Sequence, residues 1–237
     1  MWTCIACGAT ESGRREPLTC ACGVEGSWTL QSASGSFARA VRADAFRRVE
    51  RRRVSSGDAA LDQVLAGGWV LGSSALVWGD PGAGKTRLCL RWAAHAAPCL
   101  FASLEMPPEL VLDTAASVGA DLEGLWLVDT VEGLTAEAAR IGARSIVVDS
   151  VTATPRPLAL VKELSLWAPS SGAVVWMVAH RNGKGRARGG PALEHWPDYT
   201  VQMKPRKASG VRVTVKKSRY CPRGSALAEL VRGRAPG

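Results

Sequence analysis

A chain of 237 residues with formal charge +9 and pI near 9.6 has room for one sizeable α/β core and a small appendage, not for two full domains. The excess of cations points to an anionic partner, nucleic acid first, with a basic solvated surface as the simpler alternative. No apolar run approaches the ~20 residues of a membrane span, and MWTCIACGATE lacks the basic start and apolar stretch of an export signal, so a cytoplasmic location without a membrane partner is expected.

In chain order, residues 1–30 are poor in apolar periodicity and hold Cys4, Cys7, Cys20 and Cys22. Four thiolates at Cys-x-x-Cys and Cys-x-Cys spacing, with Gly8 easing the first turn, suffice for a tetrahedral zinc site. The second pair is one residue shorter than the common pattern, and free thiols are the alternative. Residues 31–53 open with SASGS and collect Arg39, Arg42, Arg47, Arg48, Arg51, Arg52 and Arg53, a basic linker that either tracks phosphates or lies solvated. From residue 54 to 237, apolar strand patterns alternate with helical ones, which predicts a mostly parallel sheet flanked by helices.

Within that region SALVWG (74–79) reads as a buried strand and Lys85 to about Ala97 as a helix. CLFASLE (99–105) is the next strand, followed by a helix through PPELVLDTAASVG. LWLVDT (125–130), SIVVDSV (145–151) and GAVVWMVAH (172–180) are further strands, with LTAEAARIG and LALVKELSLWA as helices between them. YTVQMKP and VRVTVKKS alternate and are rich in β-branched residues, so they read as antiparallel strands. Trp78, Trp126 and Trp176 fall in strand patterns and are expected in the core. Cys89 and Cys99 lie in apolar surroundings as buried thiols.

Residues 79–86, GDPGAGKT, carry the chemistry. Gly79, Gly82 and Gly84 allow a tight turn in which the backbone of Asp80, Pro81 and Ala83 wraps phosphates at the start of a helix. Lys85 would reach the β- and γ-phosphates and the Thr86 hydroxyl would hold Mg²⁺. Asp149, closing SIVVD at the carboxyl edge of a buried strand, is the second magnesium candidate; a helix-capping Asp is the alternative. Glu105, placed at the end of the strand after the P-loop helix, could orient or deprotonate water, or be an exposed acid before Pro107 and Pro108.

These residues carry a resemblance. RRVSSGDAALDQVLAGGWVLGSSALVWGDPGAGKT, FASLEMP, GGPALEHWPDYTV and KKSRYC occur in the order found in the bacterial RadA (Sms) family, which also opens with a four-cysteine zinc finger. The resemblance implies a RecA-like core related to the DnaB helicases, assembled as a ring or filament of identical subunits, using ATP, Mg²⁺ and Zn²⁺ to move on or remodel single-stranded or branched DNA in recombination and repair, with a recombinase or helicase as partner. It implies Glu105 as catalytic glutamate, His180 as the group sensing the γ-phosphate, and Lys217 with Arg219 acting across a subunit interface or on DNA. Lys184, Arg186 and Arg188 fall where RecA-type proteins carry a DNA-binding loop; a solvated loop is the alternative. Trp196, beside His195, is the tryptophan placed to stack a base. In the signature Lys217 to Cys221 the family's Asn, Phe and Gly are replaced, and the sequence resembles a short form without the family's Lon-protease-like domain. The rival function is a KaiC-like regulatory or accessory module that binds ATP, and DNA or a protein, without translocating.

Overall fold

A computed structural model describes residues 2–4, 9–11, 20, 22, 28–30, 51–182, 187–206 and 210–228. The chain divides into two compact units, Met1–Arg51 and Arg52–Gly237. In the first, strands β1 (Trp2–Cys4), β2 (Thr10–Glu11) and β3 (Trp28–Leu30) form an antiparallel sheet in the order β2-β1-β3. The arginines at 39, 42, 47 and 48, together with Cys7, lie outside the described residues.

The second unit starts with a short ribbon, β4 (Arg53–Val54) paired to β5 (Trp69–Val70), around helix α1 (Ala59–Val64). Asp58 begins α1 by accepting the Leu61 N–H at 2.9 Å, satisfying one donor that a helix start leaves unpaired. The chain then runs through β6 (Ser74–Gly79), α2 (Lys85–His95), β7 (Cys99–Ser103), α3 (Pro108–Ser117), β8 (Leu125–Val128), α4 (Leu134–Arg140), β9 (Ser145–Asp149), α5 (Pro157–Ser171), β10 (Val174–His180) and α6 (Pro191–His195). It finishes in β11 (Tyr199–Arg206), β12 (Gly210–Ser218) and β13 (Gly224–Ala228). The sheet order is β13-β12-β11-β6-β10-β9-β7-β8. The six strands from β11 to β8 are parallel, while β12 runs antiparallel to both β11 and β13.

Several predicted boundaries shift: β8 ends at Val128 rather than Thr130, β9 at Asp149 rather than Val151, and β10 starts at Val174 rather than Gly172, and two further shifts have local reasons. α2 stops at His95 rather than Ala97, because a residue preceding proline, here Pro98, is driven out of helical conformation. β7 ends at Ser103 rather than Glu105; the chain bends there, with the Leu104 N–H donating to the Asp149 carbonyl at 2.8 Å.

The buried strands are apolar on both faces, as a helix-covered parallel sheet requires. One face packs Trp69, Trp92 and Trp176 together, with Trp69 and Trp92 ring centroids 4.8 Å apart. The other packs Leu76, Ile146, Val148 and Met177 against Leu160 and Leu164 of α5. Trp78 and Trp176 are buried as expected, but Trp126 is corrected: it is 47% exposed. It lies on β8, the outermost strand on its side of the sheet, and the Arg140 guanidinium sits 5.8 Å from its ring, a cation–π contact in place of core packing.

Cys89 and Cys99 are fully buried, and burial pushes both thiols up, Cys99 to about 12. Because the thiolate is the reacting species, neither should react with a disulfide reagent in the folded chain, while the half-exposed Cys221 should. Counting fast and denaturant-dependent thiols checks this; rapid labelling of Cys99 would contradict the packing.

Candidate functional site

Parallel pairing brings several strand ends to one edge. His180 of β10 stands opposite Gly79 of β6, and Ser103 of β7 opposite Asp149 of β9. The glycine-rich loop, the β9 carboxylate and the β10 imidazole therefore share the carboxyl edge, where open α/β sheets bind ligands. A cleft of about 700 Å³ opens there, and Gly82, Lys85, Thr86, Glu105, Asp149 and His180 line it.

Two glycines serve for different reasons. A Cβ on Gly79 would lie 2.3 Å from the Met203 carbonyl oxygen, so β6 and β11 could not pair as closely with any other residue. Gly82 has open space but φ of +72°, the left-handed conformation that glycine adopts at little cost. α2 has no acidic residue in its first turn, which leaves its amino-terminal N–H groups and dipole available to an anion.

Lys85 is nearly buried, and its amine donates to the Gly79 and Asp80 carbonyls at 3.2 and 3.0 Å. Burial lowers its pKa against the opposing pull of Asp149, Cys89, Glu105 and Asp80. The Thr86 hydroxyl donates to Asp149. Burial raises the Asp149 carboxyl, partly offset by the Thr86 hydrogen bond. Both are hard oxygen donors, which is the chemistry Mg²⁺ takes.

Glu105 stands beyond the β7 end, 2.6 Å from the Ser150 hydroxyl, and its two carboxylate oxygens lie 2.9 and 3.0 Å from His180 Nε2. Burial pushes its carboxyl up, but the hydrogen bonds of Ser150 and His180 outweigh that, and the pKa falls below the ordinary value. The structure thus brings Lys85, Thr86, Asp149, Glu105 and His180 together. Ser150, itself 2.9 Å from Thr152 Oγ1, was missed by sequence reasoning. Its position directly after Asp149 was the signal, since a small hydroxyl at that edge reaches whatever follows β7.

Arg181 was also missed. It pairs with Asp80 at 2.6 Å, tying the segment after β10 to the glycine-rich loop. That segment closes at its base through an Arg181–Ala187 bridge and the Arg188 N–H donating to the His180 carbonyl at 2.7 Å. Arg188 is exposed there; Lys184 and Arg186 lie outside the described residues.

Lys217 and Arg219 do not line this cleft. The Lys217 amine donates to the carbonyls of Glu194, His195 and Pro197 at 2.9, 2.6 and 2.8 Å, satisfying the open carboxyl end of α6. Arg219 pairs with buried Asp198 at 3.1 Å. Trp196 is half-buried, with the Lys162 amine 4.9 Å from its ring centroid.

In the first unit the sulfurs of Cys4, Cys20 and Cys22 lie within 4.8 Å of one another, with Cys4 and Cys22 at 3.8 Å. Four bonds of ~2.3 Å at tetrahedral angles place sulfurs about 3.8 Å apart, so the spacing fits a zinc ion with a fourth ligand added. Cys7, the fourth expected ligand, lies outside the described residues.

A family model described as the KaiC ATPase matches residues 54–127. The DNA repair protein RadA of Pseudomonas aeruginosa is 29% identical over 193 residues, covering 74% of this chain and 42% of that protein. The RadA of Treponema pallidum is 26% identical, covering 84% and 47%, and that of Haemophilus influenzae is 31% identical, covering 65% and 37%. The chain is RadA-like in sequence and RecA-like in fold. This RadA-like chain spans less than half the length of each of these three relatives. Its fold is shared with a KaiC-like protein of Pyrococcus horikoshii, at TM-score 0.63 and 20% identity, over 75% of this chain and 94% of the other.

Proposed function

We propose that this RadA-like chain hydrolyses ATP to act on single-stranded or branched DNA in repair. The observation that supports it most is the meeting of two pairs in one cleft, Thr86 with Asp149 and Glu105 with His180, over a glycine-rich loop. The loop and the α2 terminus bind the β- and γ-phosphates, and Lys85 leaves its two carbonyl partners to neutralise them. Thr86 and Asp149 would hold Mg²⁺, whose charge offsets that of the phosphates. Glu105 accepts the proton of the attacking water, and His180, touching both oxygens of Glu105, is placed to answer to the γ-phosphate. Charge on the transferring group would be stabilised by the N–H groups of the loop and of the α2 terminus.

The test is ATP turnover while single-stranded DNA is titrated at low and moderate salt. Stimulation that fades as salt rises is the expected result. Tight ATP binding with slow turnover, indifferent to DNA, would instead favour a KaiC-like regulatory module, the alternative that the family match to residues 54–127 keeps in view.

A ring or filament of identical subunits belongs to the same proposal, with Arg188 and its neighbours in the loop after β10 facing DNA. The three clustered cysteines support structural zinc. One zinc per chain should be released by a mercurial, with the first unit losing its structure as the metal leaves; a metal-free chain of unchanged spectrum would remove the zinc assignment.

A further inference from the structure

Strands β11 and β12 carry cations on the sheet face opposite the tryptophan cluster. Val201, Met203, Val211 and Val213 are buried in that cluster, and alternation along a strand sends Lys204, Arg206 and Arg212 to the other face, where all three are exposed. Lys204 stands directly opposite Arg212, and Arg206 opposite Gly210. Like charges set opposite across a strand pair destabilise it. The usual use of strand lysines, to blunt a sheet edge, fits Lys204 and Arg206, which run past the last β11 residue paired to β6 (Met203), but not Arg212, which is paired on both sides, to Lys204 and to Leu227. No carboxylate among the described residues pairs with any of the three, and residues 199–228 contain eight Lys and Arg with no Asp or Glu.

We infer that this face grips the phosphate backbone of a nucleic acid, at a site separate from the loop after β10; the inference rests on the DNA-acting role proposed above. Cations about 7 Å apart along a strand and about 5 Å apart across the pair can neutralise neighbouring phosphates, which relieves the repulsion between Lys204 and Arg212. The neighbouring pair on the same face is Gln202 with Thr214. Half-buried Thr214 can supply a hydrogen bond, whereas Gln202 is buried; neither is an apolar or aromatic anchor of the kind that centres a protein interface. Contacts of this type hold the backbone without reading bases.

The test measures binding of a fluorescent oligothymidylate and of a duplex of equal length by the full chain between 50 and 200 mM salt. For the triple variant Lys204→Ala, Arg206→Ala, Arg212→Ala, the slope of log affinity against log salt should fall by about 2 on the single strand and about 3 on the duplex. Turnover of ATP without DNA should be unchanged, since none of the three lines the cleft. Lys204→Glu is the second variant: pairing with Arg212, it should raise the melting temperature while weakening DNA binding, a combination that a purely structural role cannot produce. If wild type binds DNA and neither variant alters the slope, the face is not the site, although the DNA-acting role stands. Absence of salt-dependent binding by wild type removes both. Equal competition by polyglutamate, lost in the same variants, would make the partner an acidic protein and overturn the assignment.

Discussion

Glu105→Gln is expected to lower ATP turnover by roughly 10²–10⁴-fold while leaving ATP affinity close to wild type. The amide keeps the size of the side chain and an acceptor for the Ser150 hydroxyl, now at 2.6 Å, but cannot take a proton from water. Lys85→Ala should do the reverse and weaken ATP binding, because it removes the cation beside the phosphates rather than the base. Equilibrium nucleotide binding and single-turnover hydrolysis separate the two. A Glu105→Gln chain that turns over like wild type would place the water-activating group elsewhere. The pH profile adds a sign. Hydrogen bonds hold the Glu105 carboxyl below its ordinary value, so the active, ionised form persists to lower pH than for a free glutamate. Ser150→Ala removes one of those bonds and should move the acid limb of turnover upward.

Asp198→Ala is expected to cost about 3–5 kcal/mol of folding stability, read as a lower midpoint in urea at unchanged slope. The carboxylate is 4% exposed, and it accepts from the Ser74 N–H at 2.9 Å, the Ser74 hydroxyl at 3.3 Å, Arg219 at 3.1 Å and the Tyr220 hydroxyl at 3.2 Å. Truncation strands a buried N–H at the start of β6 and uncouples it from the chain leaving β12. Asp198→Asn keeps the shape and one of the two acceptor oxygens and should cost less, so equal losses for the two variants would mean that charge rather than shape holds the junction. Arg219→Ala combined with Asp198→Ala should cost less than the sum of the single changes, since they share one ion pair.

What was legible in the sequence was what local pattern determines. GDPGAGKT after an apolar run placed the glycine-rich loop, and SIVVDSV and GAVVWMVAH brought Asp149 and His180 to the strand ends, although the first was drawn two residues too long, because buried parallel strands are uniformly apolar until they reach the ligand edge. Glu105 was found but set on the strand; the bend after Ser103 depends on a hydrogen bond to Asp149, a residue far away in sequence. Trp126 was misjudged for a similar reason, since periodicity marks a strand but not its rank in the sheet. The partners of Asp198, and of Lys217 at the end of α6, depend on tertiary register, which residue spacing does not encode.

The close approach of Gly79 to the Met203 carbonyl bears on how relatives of this chain can be read. Gly79 is needed to seat β11 beside β6, whether or not a nucleotide ever enters the cleft. Gly82 answers only to its own backbone angle, and an asparagine tolerates that angle better than other side chains do. A homologue that had abandoned ATP would therefore keep the first glycine of the loop and let the second drift. A surviving Gly79 is thus a record of sheet architecture, and the middle of the loop is where the loss of an ancestral activity would first be written.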